Sequence, residues 1–285
     1  MRATRSRFLP GMAREQEWFE AKPEVENFGF SLASDTEAFA GRLGKARELT
    51  RRAVDSAVRA DSKETGAIWE ENAALREAAF GNAAEARQEA AVGLKLYPGS
   101  EAVEVEAGLA YAMAGETGKA EALAEEINQE HPLDTQTQAL WLPAIRAQLA
   151  LNRRDPAAAL AALQAAQPPL EYGQIPFLAD LAPLYTAYLR GEANLAAGEG
   201  AAAGVEFQKI LDHSGLVWNC WTGALARLGL ARADALEAKS GKGADADAAR
   251  VQALGAYKEF LALWKDADAG IPIYREAKAE YARLQ

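Results

Sequence analysis

The chain has 285 residues, 49% of them hydrophobic, with 41 acidic against 31 basic side chains and a formal net charge of −10. Dispersed Lys and Arg among so many carboxylates argue against nucleic acid as the main partner, because phosphate binding needs concentrated cations. No apolar run approaches the roughly 20 residues that cross a bilayer, runs of alternating β-branched residues are missing, and the single cysteine excludes an intrachain disulfide.

The opening "MRATRSRFLP" is basic and lacks an apolar h-region, so it is neither a signal peptide nor a membrane span. Residues 1–10 read as a disordered tail or an artificial boundary, and residues 11–285 as one domain. "GMAREQEWFEAKP" reads as the second helix of a hairpin, ended by Pro23, whose first helix is missing. The chain is thus expected to begin in mid-repeat. Trp18 and Phe19 would lose part of their cover and form an association surface, for an upstream segment or a second copy. The alternative is that they pack on the next hairpin, which supplies Phe28, Phe30 and Phe39.

Further along, Gly81, Ala86 and Pro98 recur as Gly115, Ala120 and Pro132, each 34 positions on. That is the period of the tetratricopeptide helix–turn–helix repeat. The clearest unit, Glu101 to Pro132, carries Gly108 for close approach of its first helix to a neighbour. Tyr111 fills the space between hairpins, Ala120 lets the second helix pack tightly, and Pro132 ends it. Ala46, Ala86, Ala120, Ala159, Ala203 and Ala253 mark successive second helices, at intervals of 40, 34, 39, 44 and 50. The departures from 34 locate insertions. "QAAQPPLEYGQIPF", with Pro168, Pro169 and Pro176, is expected to form a proline-rigid loop, and "SGKGADAD" a flexible turn. A short helix from Ile273 to Leu284 would cap the stack. The expected fold is all-α: a tetratricopeptide-repeat solenoid, a right-handed superhelix of about six hairpins with a C-terminal cap helix.

In such a solenoid the first helices line a concave groove. Counting each repeat from its glycine, inner positions become Glu71 and Leu75, Val105 and Leu109, Ala144 and Gln148, Tyr188 and Glu192. These lack the Lys and Asn set that clamps a terminal carboxylate, so tight binding of an acidic C-terminal tail is not expected. An apolar or helical ligand is expected instead, around Trp69, Glu71, Leu75, Leu109, Trp141, Gln148, Tyr185, Tyr188 and Glu192. Among Trp69, Trp141, Trp218, Trp221 and Trp264 most should be core, with one or two facing the groove.

Catalytic signals are sparse. A hydrolase reading would pair Cys220 with His213 in "DHSGLVWNCWTG", oriented by Asp212 or Asn219. The simpler reading makes Cys220 a small buried hydrophobe and His213 a helix-end residue. "GETGKA" lacks the hydroxyl residue and the preceding strand of a phosphate loop and reads as an inter-helix turn. Two distant histidines with no CxxC or HxxxH spacing give no metal site, and no cofactor is expected.

The runs "DTEAFAGRLGKARELTRRAVDSAVRADSKETGAIWEENAALREAAFGNAAEAR", "HPLDTQTQALWLPAIRAQLALNRRDPAAAL", "GVEFQKILDHSGLVWNCWTGALARLGLARA" and "YKEFLALWKDADAGIPIYREAKAEYARLQ" extend over the chain from about Gly11 to Gln285. They resemble the C-terminal tetratricopeptide region of acidobacterial eukaryotic-like serine/threonine protein kinases. The resemblance implies a sensor or docking region with a protein or peptide partner. It carries no kinase activity here, since the Gly-rich nucleotide loop, the HRD-like loop and DFG are missing from this sequence. Localisation would be cytoplasmic for the chain as it stands, and extracytoplasmic for the C-terminal part of a membrane-spanning kinase. Three readings follow: a non-enzymatic binding scaffold, a self-associating regulatory fragment of the kinase, and a Cys/His hydrolase.

Overall fold

The computed structural model describes residues 18–19, 22–166, 168–173 and 184–285. Among the described residues the regular elements are all helices. The first three pairs are α1 (Glu26–Phe39) with α2 (Leu43–Arg59), α3 (Lys63–Phe80) with α4 (Ala83–Leu96), and α5 (Glu101–Met113) with α6 (Thr117–Glu130). Then come α7 (Leu142–Asn152) with α8 (Pro156–Ala162), the short α9 (Pro168–Tyr172), and α10 (Tyr185–Ala197) with α11 (Gly200–Asp212). The short α12 (Ser214–Val217), the long pair α13 (Trp221–Ser240) and α14 (Gly243–Leu263), and α15 (Pro272–Leu284) complete the chain. None of these helices is long and apolar enough to cross a membrane.

Local chemistry sets the boundaries. Ser100 caps α5 by accepting the Val103 N–H, and Asp155 caps α8 by accepting the Ala158 N–H just before Pro156, whose missing donor costs nothing at that position. Gly81 and Gly198 end α3 and α10 at φ values of 91° and 84°, a left-handed turn that a side chain would resist. Of "GETGKA", Gly115 and Glu116 lie in the turn between α5 and α6, and Thr117 to Ala120 form the first turn of α6.

Among the described residues six hairpins pack each on the next: α1–α2, α3–α4, α5–α6, α7–α8, α10–α11 and α13–α14. Small residues set the spacing. Ala46, Ala86, Ala120, Ala159, Ala203 and Ala253 are all fully buried, one in the second helix of each hairpin. Gly108 lies where a Cβ would stand 2.9 Å from Ile145 Cδ1. The Phe207 ring is wedged between Gly191 and Gly229, where added Cβ atoms would come within 2.6 and 2.5 Å of it. Full burial of a side chain that size contributes about 1.5–3 kcal/mol.

The array does not stay open. Its last hairpin returns to its first: Trp264 Nε1 donates to Phe39 O at 3.0 Å, Asp268 N–H to Gly41 O at 2.9 Å, Gly44 N–H to Asp268 Oδ2 at 2.7 Å, and Asn219 Nδ2 to Thr36 Oγ1 at 2.8 Å. Trp264 is fully buried, with Phe80 edge-on at 4.9 Å. One apolar core consequently runs from Ala38 and Leu43 through the inner helices α3, α5, α7, α10 and α13 to Phe260, Trp264 and Ala277. A smaller cluster under the first two hairpins holds Phe30, Leu49, Trp69 and Val103.

Three sequence expectations need correction. "SGKGADAD" is not a flexible turn: α14 begins at Gly243, and only Gly241 and Lys242 link it to α13. Its first two turns stand in solvent, so they carry none of the apolar periodicity that signals a helix. Pro168 and Pro169 open the helix α9 rather than a loop, while Pro176, like residues 1–10, lies outside the described residues. Finally, α15 does more than cap the stack, because Pro272 sits against Gly81 at the end of α3.

Candidate functional site

On α1, Phe28, Leu32 and Asp35 stand at i, i+4 and i+7, on one helix face. Phe28 is 36% and Leu32 41% exposed, and the Asp35 side chain 38%. Elsewhere apolar side chains of the inner helices are mostly enclosed. Beneath this row the support is rigid. Trp69 meets Phe28 edge-on at 5.4 Å and donates through Nε1 to Asn27 Oδ1 at 3.0 Å. The buried Arg76 guanidinium donates to Ser34 Oγ and Thr50 Oγ1, both at 3.1 Å, and reaches Asp35 Oδ1 only at 3.4 Å.

Burial pushes the Asp35 carboxyl up to about 6 against the opposing pull of Arg76. Arg76 is its cationic neighbour among the described residues, in an ion pair at 3.4 Å. Asp35 also acts on Tyr185 and Cys220, so the beginnings of α10 and α13 lie near it. Beside the row, Asn219 anchors the loop before α13 to Thr36. The preceding Trp218 is 52% exposed at φ 49°, a strained backbone for a bulky residue.

The expected groove is largely absent as an accessible surface. Trp69, Glu71, Leu75, Leu109, Trp141, Tyr185 and Tyr188 are all buried. The reason is packing between successive hairpins: the rings at the start of α7 and on α10 and α13 stack on one another. Trp141 lies edge-on to Tyr185 at 5.6 Å, Tyr185 stacks on Trp221 at 5.3 Å, and Trp221 lies edge-on to Tyr188 at 5.0 Å. Gln148 and Glu192 remain partly exposed. Gln148 donates to Asn152 at 2.9 Å, while Glu192 is bonded to Tyr188, its carboxyl raised by burial and held back by Arg232. Of the tryptophans, Trp218 alone among those considered is exposed; Trp69, Trp141, Trp221 and Trp264 are core.

At the N-terminal end the two aromatics separate. Phe19 packs on the first hairpin, its Cβ 2.6 Å from where a Gly29 Cβ would stand, whereas Trp18 is 49% exposed under Lys22 Nζ at 3.6 Å.

Cys220 and His213 do not form an activated pair. Burial pushes the Cys220 thiol up to about 12, away from the thiolate that a nucleophile requires, and its polar neighbours are Thr222 and Tyr185. His213 stacks on Tyr172 at 4.3 Å, with Nδ1 2.8 Å from Lys209 O at the end of α11. Between α13 and α14 a cavity of about 260 Å³ is lined by Asp234, Glu237, Asp245 and Gln252. Glu237 there already accepts the Ala201 N–H at 3.0 Å, and among the described residues no group of three or more His, Cys, Asp or Glu could hold a metal ion.

The row on α1 escaped the sequence reading although it had a signal: Val25, Phe28 and Leu32 repeat at helical spacing beside a separate buried row of Asn27, Ser31, Ser34 and Ala38. No family model matches the chain, and no curated protein matches it.

Proposed function

We propose that the chain is a non-enzymatic protein-binding module, a tetratricopeptide-type array that holds an amphipathic segment of a partner on the exposed face of α1. The observation that carries this reading is the row Phe28, Leu32 and Asp35, left open beside Trp218 while the rest of the inner surface is spent on the core. The 34-residue spacing and the six buried alanines support the repeat class. The un-ionised Cys220 and the engaged His213 leave the hydrolase reading without support. The resemblance to kinase-associated repeats supports an origin in signalling.

The partner chemistry follows from the surface. Two apolar side chains one helical turn apart would cover Phe28 and Leu32, and a Lys or Arg would pair with Asp35. The test uses a synthetic fluorescent amphipathic helix with such a leucine row and flanking lysines, read by anisotropy at two salt concentrations. Binding should weaken about tenfold or more in Leu32→Glu, which sets a charge in an apolar contact worth at least 1.4 kcal/mol. Asp35→Asn should reduce the salt dependence. Equal affinity for wild type and both variants would remove the site.

A further inference from the structure

A second feature is independent of that surface. Glu71 of α3 is fully buried, and so is Glu106 of α5. The Glu71 carboxyl occupies the notch left by Gly93 of α4: Oε1 lies 2.2 Å from where a Gly93 Cβ would stand. Three helices from two successive hairpins meet there, since α3 packs on both α4 and α5. Among the described residues neither Glu71 oxygen has a side-chain hydrogen-bond partner, while the Leu94 backbone of α4 bears on the carboxyl.

The charged side chains that act most on Glu71 are carboxylates: Glu106 from α5, Glu70 from its own helix, and Glu89 from α4. Tyr111 of α5 titrates higher, first through burial and then through Glu71. The Arg47 and Arg76 guanidinium groups bond mainly to other residues, although both act on Glu89 and Arg76 Nε has no partner. Arg47 of α2 makes two bonds to Glu77, at 2.7 and 2.8 Å, and Arg76 serves Ser34, Thr50 and Asp35. Burial and the surrounding carboxylates oppose ionisation of Glu71 more than the Leu94 backbone hydrogen bond favours it, so the closed array favours the neutral acid. A glutamine would fill the same volume and remain neutral at every pH. The acid at this point makes the packing depend on a proton.

We propose that Glu71 is a proton-gated latch between the second and third hairpins: protonated, it closes the seam among α3, α4 and α5, and loss of the proton opens it. The opening releases one proton to solvent and lets water reach the carboxylate; no other bond is made or broken. Burial first, and then Glu106, raise the Glu71 carboxyl well above the usual carboxylate range, and Glu89 beside it is pushed up to about 8. Groups raised on folding stabilise fully below their unfolded values and lose that contribution as pH climbs through the folded ones. The latch therefore holds in acid and weakens towards alkaline pH.

The test is hydrogen exchange of the intact chain at about pH 5 and about pH 9, corrected for intrinsic rates, for wild type, Glu71→Gln and the exposed control Glu259→Gln. Wild type and control should lose protection in α3 to α5 about tenfold more than Glu71→Gln does. The same loss in all three overturns the latch. Infrared difference spectra supply a readout that does not depend on opening: the band of a protonated carboxylic acid at neutral pH should weaken in Glu71→Gln. An unchanged band overturns the proposal as well.

Discussion

Trp264→Ala tests whether the return of the last hairpin to the first holds the array together. The Trp264 side chain is fully buried, 4.9 Å from both Phe80 and Phe260 and 5.8 Å from Tyr274, and its Nε1–H bonds to Phe39 O. Truncating a buried tryptophan costs about 3–5 kcal/mol, and the stranded Phe39 carbonyl adds about 1 kcal/mol. Against a total stability of about 5–15 kcal/mol, that is a large fraction from one residue. The damage should also be regional. Urea unfolding followed by circular dichroism should show the loss, and hydrogen exchange should rise first in α1, α2 and α15 while α7 and α8 stay protected. Asp268→Ala, which removes one exposed bond to Gly44 N–H, should cost only about 0.5–1.5 kcal/mol. A loss below about 1 kcal/mol in Trp264→Ala, with exchange in α1 unchanged, would show that the ends merely touch.

Other expectations follow from particular contacts. Gly229→Ala and Gly191→Ala should each cost about 1–3 kcal/mol in chemical denaturation, because the added methyl meets the Phe207 ring from either side; full tolerance of both would refute the wedge. Asp35, raised to about 6 on folding, stabilises below its unfolded value and loses that effect as pH rises through about 6. Asp35→Asn should flatten the fall in melting temperature over that window, and an unchanged profile would count against the assignment. Cys220 should alkylate more slowly than free cysteine at neutral pH, given a thiol raised to about 12; a faster reaction would reopen the nucleophile reading. Light scattering on Trp18→Glu tests self-association at the exposed N-terminal ring, with unchanged mass and melting temperature counting against it.

What could be read in advance was local. The six alanines recur because every hairpin solves the same close-packing problem, and a small residue at a fixed place in the second helix is the solution each time. Phe207, Gly191 and Gly229 were also legible as parts of that pattern. Closure was not. It joins Trp264 to Phe39 and Asn219 to Thr36 across nearly the whole chain, and no short-range period encodes a contact of that span. The assignment of inner positions to a groove did not foresee that successive hairpins pack their inner rings on one another, as Trp141, Tyr185 and Trp221 do. Solvated helix turns, as at the start of α14, also leave no apolar signature to read.

Closure changes where recognition can occur. In an open array the inner helices can present side chains to a ligand along their length, whereas here Leu75, Leu109, Trp141 and Tyr185 are consumed by contacts with one another. A ligand able to reach them would have to separate hairpins first, at a cost comparable to the folding free energy itself. Recognition without such opening is confined to surfaces that closure leaves bare. Phe28 and Leu32 meet that condition among the described residues: Asn219, just before α13, reaches α1 at Thr36, one turn further along, and the two side chains stay 36% and 41% exposed. Asp35 stands at the boundary between the covered and the bare part, half exposed, with Arg76 only 3.4 Å away and otherwise engaged. A cation arriving with an apolar segment would meet its charge there without disturbing the core.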